Sequence, residues 1–429
     1  MSTKQPVPTN PSCMDEHDPN SLSVKHALEK IRSQVEPVPT WEKLALRDGL
    51  NRVVYDPIHS PMEVPPYTNS AMDGYAVRAD DLISEPASDA AIDLQVVATV
   101  MAGSPYSGEI QRGQCARIMT GGKMPPGTDT VIMQEHVQRS DDRIRFNPCH
   151  QPGQNVRHAG EDIAKDSVVL QRGQSIGPAE LGLLASLGIN EFRVFRRVRV
   201  TFFSTGNELQ SVGTPLQEGQ IYDSNRYTLY GMLKRCGAEI LDLGTIPDNQ
   251  AATEKALLQA ATQSDVIITS GGVSVGDADF VKQALDKLGV VNFWRIAMKP
   301  GKPLAFGRIN ECLFFGLPGN PVSTMVTFYQ FVLPTLNTLS GKPQTEAIAL
   351  ELPCSTAIKK VPGRMEFQRG IMEHSRNGQL QVRVCGEQGS GILSSMSKAN
   401  CFIILPESCD GLEAGSTVQV QPFNQLLIA

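Results

Sequence analysis

Residues 265–279 read DVIITSGGVSVGDAD: an apolar run, a glycine-rich turn, and two carboxylates where a helix should begin. Val266, Ile267 and Ile268 predict a short buried strand, while Phe280, Val281, Ala284, Leu285 and Leu288 recur at helical spacing. The turn between them therefore stands at a helix N-terminus. Unpaired N–H groups and the helix dipole favour an anion there, and Gly271, Gly272 and Gly276 allow close backbone approach. Asp277 and Asp279 would repel a bare phosphate. A hard cation is expected between them, and Mg²⁺ is the ion usually held by one or two carboxylates plus substrate phosphates. No Lys-Ser or Lys-Thr follows the last glycine, and the glycine spacing is not that of a dinucleotide fingerprint, so neither common phosphate loop is present. An N-cap would by itself explain Asp277 or Asp279, which leaves the decision to the surrounding chain.

Outward from this stretch, residues 198–339 alternate between short apolar runs and helical patterns. Strands are expected at 198–203, 239–243, 265–269, 291–296, 304–306 and 312–317, with helices at 224–236, 250–261, after Asp279 and from Val322. This βαβ rhythm implies a doubly wound, mostly parallel sheet covered by helices. Before it, residues 21–50 read as a helical entry segment, with Val24, Leu28, Ile31, Val35, Leu44 and Leu46 at helical spacing around Pro37 and Pro39. Residues 64–146 change to short β-type runs separated by turns, and residues 177–188 are helical again, with Pro178 suited to the first turn and Gly188 to the stop. The second segment is thus inserted into the first. After residue 347, alternating runs at 380–384, 401–405 and 417–420 predict a small β-barrel or sandwich. The expected division is a tail at 1–20, a discontinuous helical linking domain at 21–62 and 156–194, a β-rich inserted domain at 63–155, an α/β domain at 195–342 and a C-terminal β-barrel at 343–429. The fold class is multidomain α/β plus β.

The 429 residues exceed one ordinary domain, and 39 basic against 45 acidic residues leave a formal charge of -6. Nothing in that balance favours nucleic acid or an anionic membrane. Arg193, Arg196, Arg197 and Arg199 lack the aromatic interleaving of a nucleic-acid patch and read as a solvated linker face. Nine scattered cysteines without a C-x-x-C pair suggest reduced thiols in a cytosol, and Cys149-His150 has no second pair at zinc-ligand spacing. The first twenty residues lack the basic start and apolar core of a signal peptide, and no run approaches the ~20 apolar residues of a membrane span. A cytoplasmic location is the expectation.

In an open α/β sheet, ligands sit beyond the carboxyl ends of the strands. STGNEL (204–209), TIPDN (245–249), the TSGG turn and GLPGNP (316–321) all fall there, bringing Glu208, Asp248, Asp277 and Asp279 to one edge with Asp223 nearby. Lys299 and Lys302 sit in MKPGKP, a proline-bracketed loop. Acids that hold Mg²⁺ and lysines that offset charge on a leaving phosphate form the set that phosphoanhydride chemistry needs. No histidine lies in these loops, so no Ser-His-Asp or Cys-His arrangement competes.

NSAMDGYAVR (69–78), RIMTG (117–121), STGNEL, IYDSNR (221–226), TSGGVSVGDAD, MKPGKP and GLPGNPVS, in this order, resemble the molybdopterin molybdenumtransferase family, bacterial MoeA and the E-domain of gephyrin. The resemblance runs from about residue 21 to the end. It implies a molybdopterin-binding α/β domain and a Mg²⁺-dependent enzyme of molybdenum cofactor biosynthesis. Such an enzyme takes adenylylated molybdopterin and molybdate as substrates, inserts the metal and releases AMP. It also implies an elongated homodimer with a shared cleft, and the molybdopterin adenylyltransferase is a candidate partner. Carried over by motif, Asp279 and Glu208 lie near Mg²⁺, Asp248 is a further functional acid, and Lys299 a basic residue of the cleft. Asp73 and Thr120 reach the partner's cleft, and Arg369 and Ser390 match the molybdate pocket. Gly271, Gly272, Ser274, Gly276, Lys302, Pro318, Gly319, Asn320 and Pro321 fall on the substrate side. One departure is Arg295, where the family usually carries lysine: charge is kept, but a planar fork replaces a point charge.

Two other readings compete. Molybdopterin adenylylation is done by single-domain proteins that need no β-rich domains. A gephyrin-like scaffold combines this module with an additional α/β domain and a long linker, whereas the resemblance here is preceded only by the expected tail at 1–20.

Overall fold

The structure, a computed structural model, describes residues 21–82, 91–147, 149–272 and 280–423. Its centre is a six-stranded sheet of β1 (Arg199–Thr205), β2 (Glu239–Ile246), β3 (Val266–Ser270), β4 (Val290–Arg295), β5 (Pro303–Ile309) and β6 (Cys312–Leu317), in the order β2-β1-β3-β6-β5-β4. Every residue of β3 and β6 is buried, as expected of strands covered on both faces. The period-2 pleat divides their side chains between two cores. Phe202, Ile268 and Phe315 pack with Leu229 and Leu233 of helix α1 (Ser224–Arg235). Phe203, Ile267 and Phe314 pack on the other face with Leu257 of α2 (Gln250–Gln263) and Leu285 of α3 (Phe280–Leu288). Helix α4 (Pro321–Thr327) follows β6, with proline in its first turn, where a missing N–H costs no intrahelical bond.

The sheet is less parallel than the βαβ rhythm suggests. β2, β1, β3 and β6 run parallel, but β5 is antiparallel to both β6 and β4. Only residues 296–302 join β4 to β5, and residues 310–311 join β5 to β6. Neither connection is long enough for the crossover that parallel pairing requires.

The N-terminal segment also departs from the expectation of a helical entry. A helix does span Val24–Arg32, capped by the Ser23 side chain, but Leu44 lies in the strand Trp41–Ala45 and Leu46 opens a 3-10 turn, Leu46–Gly49. That strand pairs antiparallel with Glu191–Phe195, a partner so distant in sequence that local periodicity carries no trace of it. Ile58–His59 pairs with Val168–Leu170, and Val54, Leu170, Ile176, Leu184 and Phe192 share one core that joins the two stretches. Between them lies a six-stranded sheet in the order Thr130–Met133, Gly74–Val77, Gln114–Ile118, Ile92–Val100, Arg143–Phe146, Val137–Ser140. Helix Pro178–Ser186 forms where expected, its Gly177 N–H held by the Glu180 carboxylate.

The C-terminal strands are Leu350–Pro353, Met365–His374, Leu380–Val384, Cys401–Leu405 and Thr417–Pro422, and a Cys354–Val382 bridge brings the two ends of the sheet together. The arginine cluster is not a bare solvated face. Arg196 makes a bidentate pair with Asp265, at 2.7 Å for each bond, Arg193 stacks on Trp41, and Arg197 donates to the Gly237 carbonyl. Asp265 also accepts from the Arg199 backbone N–H, so this carboxylate pins the start of β3 to that of β1. Among the described residues eight cysteines are free, and no helix is long and apolar enough to cross a membrane.

Replacing Arg196 by leucine should strip two charge-assisted bonds from a carboxylate that is 18% exposed and destabilise the α/β block by about 2 kcal/mol. The measurement is the denaturant midpoint followed by fluorescence; a midpoint equal to that of the parent would show that the pair does not hold the strands.

Candidate active site

The carboxyl ends of the four parallel strands are level. Ser204 stands beside Ser270, Ser270 beside Leu317, and Thr205 beside Ile246. The loops after them touch. Gly271 N–H donates to the Leu317 carbonyl at 3.1 Å, and the backbone at Gly271 (φ +88°) passes so close to Thr205 that a Cβ would lie 2.8 Å from its carbonyl oxygen. At Gly272 (φ +66°) a Cβ would meet Val281 of α3 at 2.4 Å, so neither position accepts a side chain.

The first turn of α1 locks this edge together. Asp223 caps the helix by accepting from Arg226 N–H and also receives the Thr245 hydroxyl at 3.4 Å, while the Arg226 guanidinium grips Asp242 on β2. Asn225 is buried, and its amide donates to Ser270 Oγ at 2.9 Å and to the Gly319 carbonyl at 2.7 Å. One side chain thus bridges the loops after β3 and β6. Sequence reasoning named the IYDSNR motif and Asp223 but not Asn225; the one available signal was an Asn in the first turn behind an Asp cap. Ser204 Oγ, Thr269 Oγ1 and Asn225 Oδ1, all close to this edge, are buried without a hydrogen-bond partner among the described residues.

Glu208 is exposed, and its carboxylate lies over the Gly206 backbone, where a Cβ would fall 2.7 Å from either oxygen. Asp248 is half-buried on the neighbouring loop, its N–H 3.4 Å from the Asn207 side-chain oxygen. Gly319 and Asn320 are exposed, Pro318 is buried and receives the Thr324 hydroxyl at 2.6 Å, and Pro321 opens α4. Ser274, Gly276, Asp277 and Asp279 lie outside the described residues. Among the described residues no three His, Cys, Asp or Glu side chains form a ready metal cage.

Lys299 lies on the same side of the sheet but faces another chamber. The hairpin at 296–302 leaves the central sheet, and its Met298–Lys299 segment pairs in parallel with Met365–Glu366 of the C-terminal sheet. There a cavity of about 670 Å³ is lined by Lys299, Lys359, Glu366, Gln368, Arg369 and Gln388 among others. Lys299 Nζ is 3.7 Å from the buried Glu366 carboxylate, which also receives the Gln368 amide at 2.9 Å. Arg369 is 1% exposed and donates to Ser395 Oγ and to the Glu387 and Gly389 carbonyls at 3.0–3.1 Å. Burial lowers its pKa to about 10, so it stays a cation at neutral pH and fixes the 387–389 loop from within. Ser390 is placed by that loop, its carbonyl accepting from Val322 N–H of α4 at 3.0 Å. Lys302 is half-buried and its carbonyl accepts from Ile296 N–H, while Arg295 is exposed at the end of β4 and its carbonyl accepts from Leu22 N–H. Glu366, Lys359, Gln368 and Gln388 were missed in the sequence because nothing local marks a residue that faces a loop paired from another sheet.

Asp73 and Thr120 are brought together but apart from this edge. Both are exposed, and Asp73 accepts from the Thr120 N–H and hydroxyl at 2.7 Å each. Among the described residues no hydrogen bond or ion pair joins them to the α/β loops. The two Thr120 bonds, with Arg117 nearby, hold the Asp73 carboxyl below its usual 3.8.

Comparison with known proteins places these features in a family. Residues 22–188 match the description "MoeA N-terminal region (domain I and II)", residues 202–338 "Probable molybdopterin binding domain", and residues 351–423 "MoeA C-terminal region (domain IV)". The chain is 47% identical to a molybdopterin molybdenumtransferase of Haemophilus influenzae, over 95% of this chain and all of that one. It is 34% identical to gephyrin of Dictyostelium discoideum, over 93% of this chain and 62% of that one. A crystal structure of a molybdopterin biosynthesis moeA protein from Pyrococcus horikoshii OT3 superposes with a TM-score of 0.82 at 29% identity, over 94% of this chain and all of that one.

Substituting Thr120 by valine removes the hydroxyl donor but keeps the backbone one, so the Asp73 titration midpoint should rise toward 3.8. Carboxyl-detected NMR would read the shift; an unmoved midpoint would mean that the Thr120 hydroxyl does not stabilise the ionised form.

Proposed function

The chain belongs to the molybdopterin molybdenumtransferase family, and on that premise we propose that it transfers molybdenum from molybdate to adenylylated molybdopterin with release of AMP. The carrying observation is the separation of charge on the two sides of one hairpin. Glu208 and Asp248 stand on the strand-end loops, while Lys299, Lys359 and Arg369 line a chamber with Glu366 as its one acid among the described residues. An acidic edge suits a cation that bridges a pyrophosphate, and a basic chamber suits an oxyanion. The glycine backbones at 271–272 leave room for the pyrophosphate, with Gly319 and Asn320 exposed beside them.

The residues fit Mg²⁺ held mainly by its substrate. With no ready three-ligand cage among the described residues, Glu208 would be one protein ligand, and Asp279 would be a second by motif. When bound, the ion supplies neutralisation of charge on the leaving phosphate. The chain's own residues do the rest. Asn225 keeps the loops after β3 and β6 in register, and Lys299 carries positive charge to the mouth of the chamber. Arg369, pinned by three bonds, shapes the wall against which molybdate would sit, with Ser390 placed by the same loop. Water supplies the oxygen that breaks the phosphoanhydride between the molybdopterin phosphate and AMP, and as molybdate binds the two dithiolene sulfurs one of its oxo groups leaves as water with the thiol protons, without a change in oxidation state.

We read the division of the chain as four domains: a discontinuous linking domain, the inserted β-rich domain, the α/β block and a C-terminal barrel. A homodimer with a shared cleft belongs to the same proposal. Val212, Leu216, Ile221, Tyr222, Tyr227 and Tyr230 are 43–55% exposed along one stretch beside the edge, more apolar surface than an isolated face usually shows. A second copy covering that stretch would bring its own Asp73 and Thr120 to this cleft.

Incubation with adenylylated molybdopterin, Mg²⁺ and molybdate should release AMP in a molybdate-dependent way, and release indifferent to molybdate would overturn the assignment. Asn225→Asp, which sets a carboxylate against the Gly319 carbonyl, should cut that rate about tenfold or more, by analogy with misplacement at a preorganised site. Light scattering of Ile221→Glu/Tyr227→Glu should report a monomer; a mass equal to that of the parent would remove this face from the interface.

A further inference from the structure

A second cavity, of about 330 Å³, lies between the N-terminal segment and the chain that leads from the α/β block to the C-terminal sheet. Val35, Pro37 and Phe195 give it an apolar wall, and its ionisable lining residues are Arg172 and Lys342, with no acid among them. Arg172 is fixed in place. Its guanidinium stacks 4.3 Å from the Tyr55 ring centre and 4.7 Å from that of Phe195, and Nη1 donates to the Tyr55 carbonyl at 2.6 Å. No carboxylate pairs with it among the described residues.

Lys342 lines the same cavity. Its turn is pressed onto the same wall: Gly341 (φ +87°) lies so close to Phe195 that a Cβ would fall 2.2 Å from the ring, and a Cβ at Gly173 would fall 2.8 Å from the Gly341 carbonyl. The Lys342 ammonium is half-buried and has no hydrogen-bond or ion-pair partner among the described residues. Desolvation pushes its pKa down, and the neighbouring ionisable group is the Cys236 thiol, itself raised by burial to about 11 and so neutral. A desolvated cation without a counter-ion is costly, and the half-buried Lys342 lines this recess with the exposed Arg172, neither paired with a carboxylate among the described residues.

We propose that this cavity is a second anion site, separate from the active cleft, which takes a small organic oxyanion: a carboxylate or phosphate ester with an apolar body. The free edge of the Arg172 fork and the Lys342 point charge hold the oxyanion, and Phe195 and Pro37 cover the body. Such a ligand is gripped from two sides, by the 171–173 turn of the N-terminal half and by the segment entering the C-terminal sheet. Its occupancy ties those parts together.

The test uses the full chain in a buffer without phosphate or carboxylate, with benzoate, phenyl phosphate and inorganic phosphate as probes and Tm as readout. Benzoate or phenyl phosphate should raise Tm more than inorganic phosphate does, and the stronger of the two identifies the headgroup. Arg172→Gln and Lys342→Met should each weaken the response about tenfold, the worth of one charge-assisted bond. Lys342→Met should in addition raise Tm in the absence of any probe, because it removes a half-buried charge without a partner among the described residues; a simple packing role would lower it. Lys299→Met, which changes the active cleft, should leave the response intact. A parent protein indifferent to both organic probes, a response in both cavity variants equal to that of the parent, or loss of response in Lys299→Met would overturn the proposal.

Discussion

The parallel register of β1 with its neighbours is the constraint from which the site follows. Because Ser204, Ser270 and Leu317 stand side by side, four loops leave the sheet at one height and must share the space above it. Loops crowded in this way cannot satisfy all their polar groups with one another. The structure answers with glycine at 271 and 272, where no side chain fits, and with Asn225, whose amide spans two loops at once. Precision at this edge comes from a helix turn anchored in the core rather than from the loops themselves, which matches the general finding that sites on rigid elements hold their geometry better.

Charge is partitioned by topology. The acids belong to the strand-end loops of the central sheet, whereas most of the basic groups belong to the C-terminal sheet, and Lys299 crosses from one to the other on a hairpin. Placing the cationic chamber on a separate layer keeps lysines from neutralising Glu208 and Asp248. Where a lysine does meet an acid, at Glu366, that acid belongs to the chamber, is buried, and is shared with Gln368.

Much of this was legible in the chain. Apolar runs such as VIITS and CLFFGL mark strands buried on both faces, and the glycines at 271 and 272 mark a close backbone approach. Most of the failures share a cause: they are long-range pairings. Trp41–Ala45 is a strand because Glu191–Phe195 lies beside it, although its Leu44 continues a helical spacing. β5 turns antiparallel because its connections are short, a matter of loop length rather than of residue type. Asn225 and Glu366 were invisible as site residues for the same reason, since each gains its meaning from a partner on another element. The arginines at 193–199 looked like a solvated linker, yet each finds an acid, a carbonyl or an aromatic ring that the fold delivers.

The hairpin at 296–302 has a consequence in time as well as in space. Leu22 pairs with it from the start of the described chain, and Met365–Glu366 pairs with it from the C-terminal sheet, so its position depends on segments far apart in sequence. During synthesis the α/β block can assemble once residue 339 has emerged, but Lys299 meets Glu366 only after the strand Met365–His374 has joined. A chain ending before residue 365 would therefore lack the Lys299–Glu366 pair. Pairing of the hairpin with the strand Met365–His374 is what brings the two together.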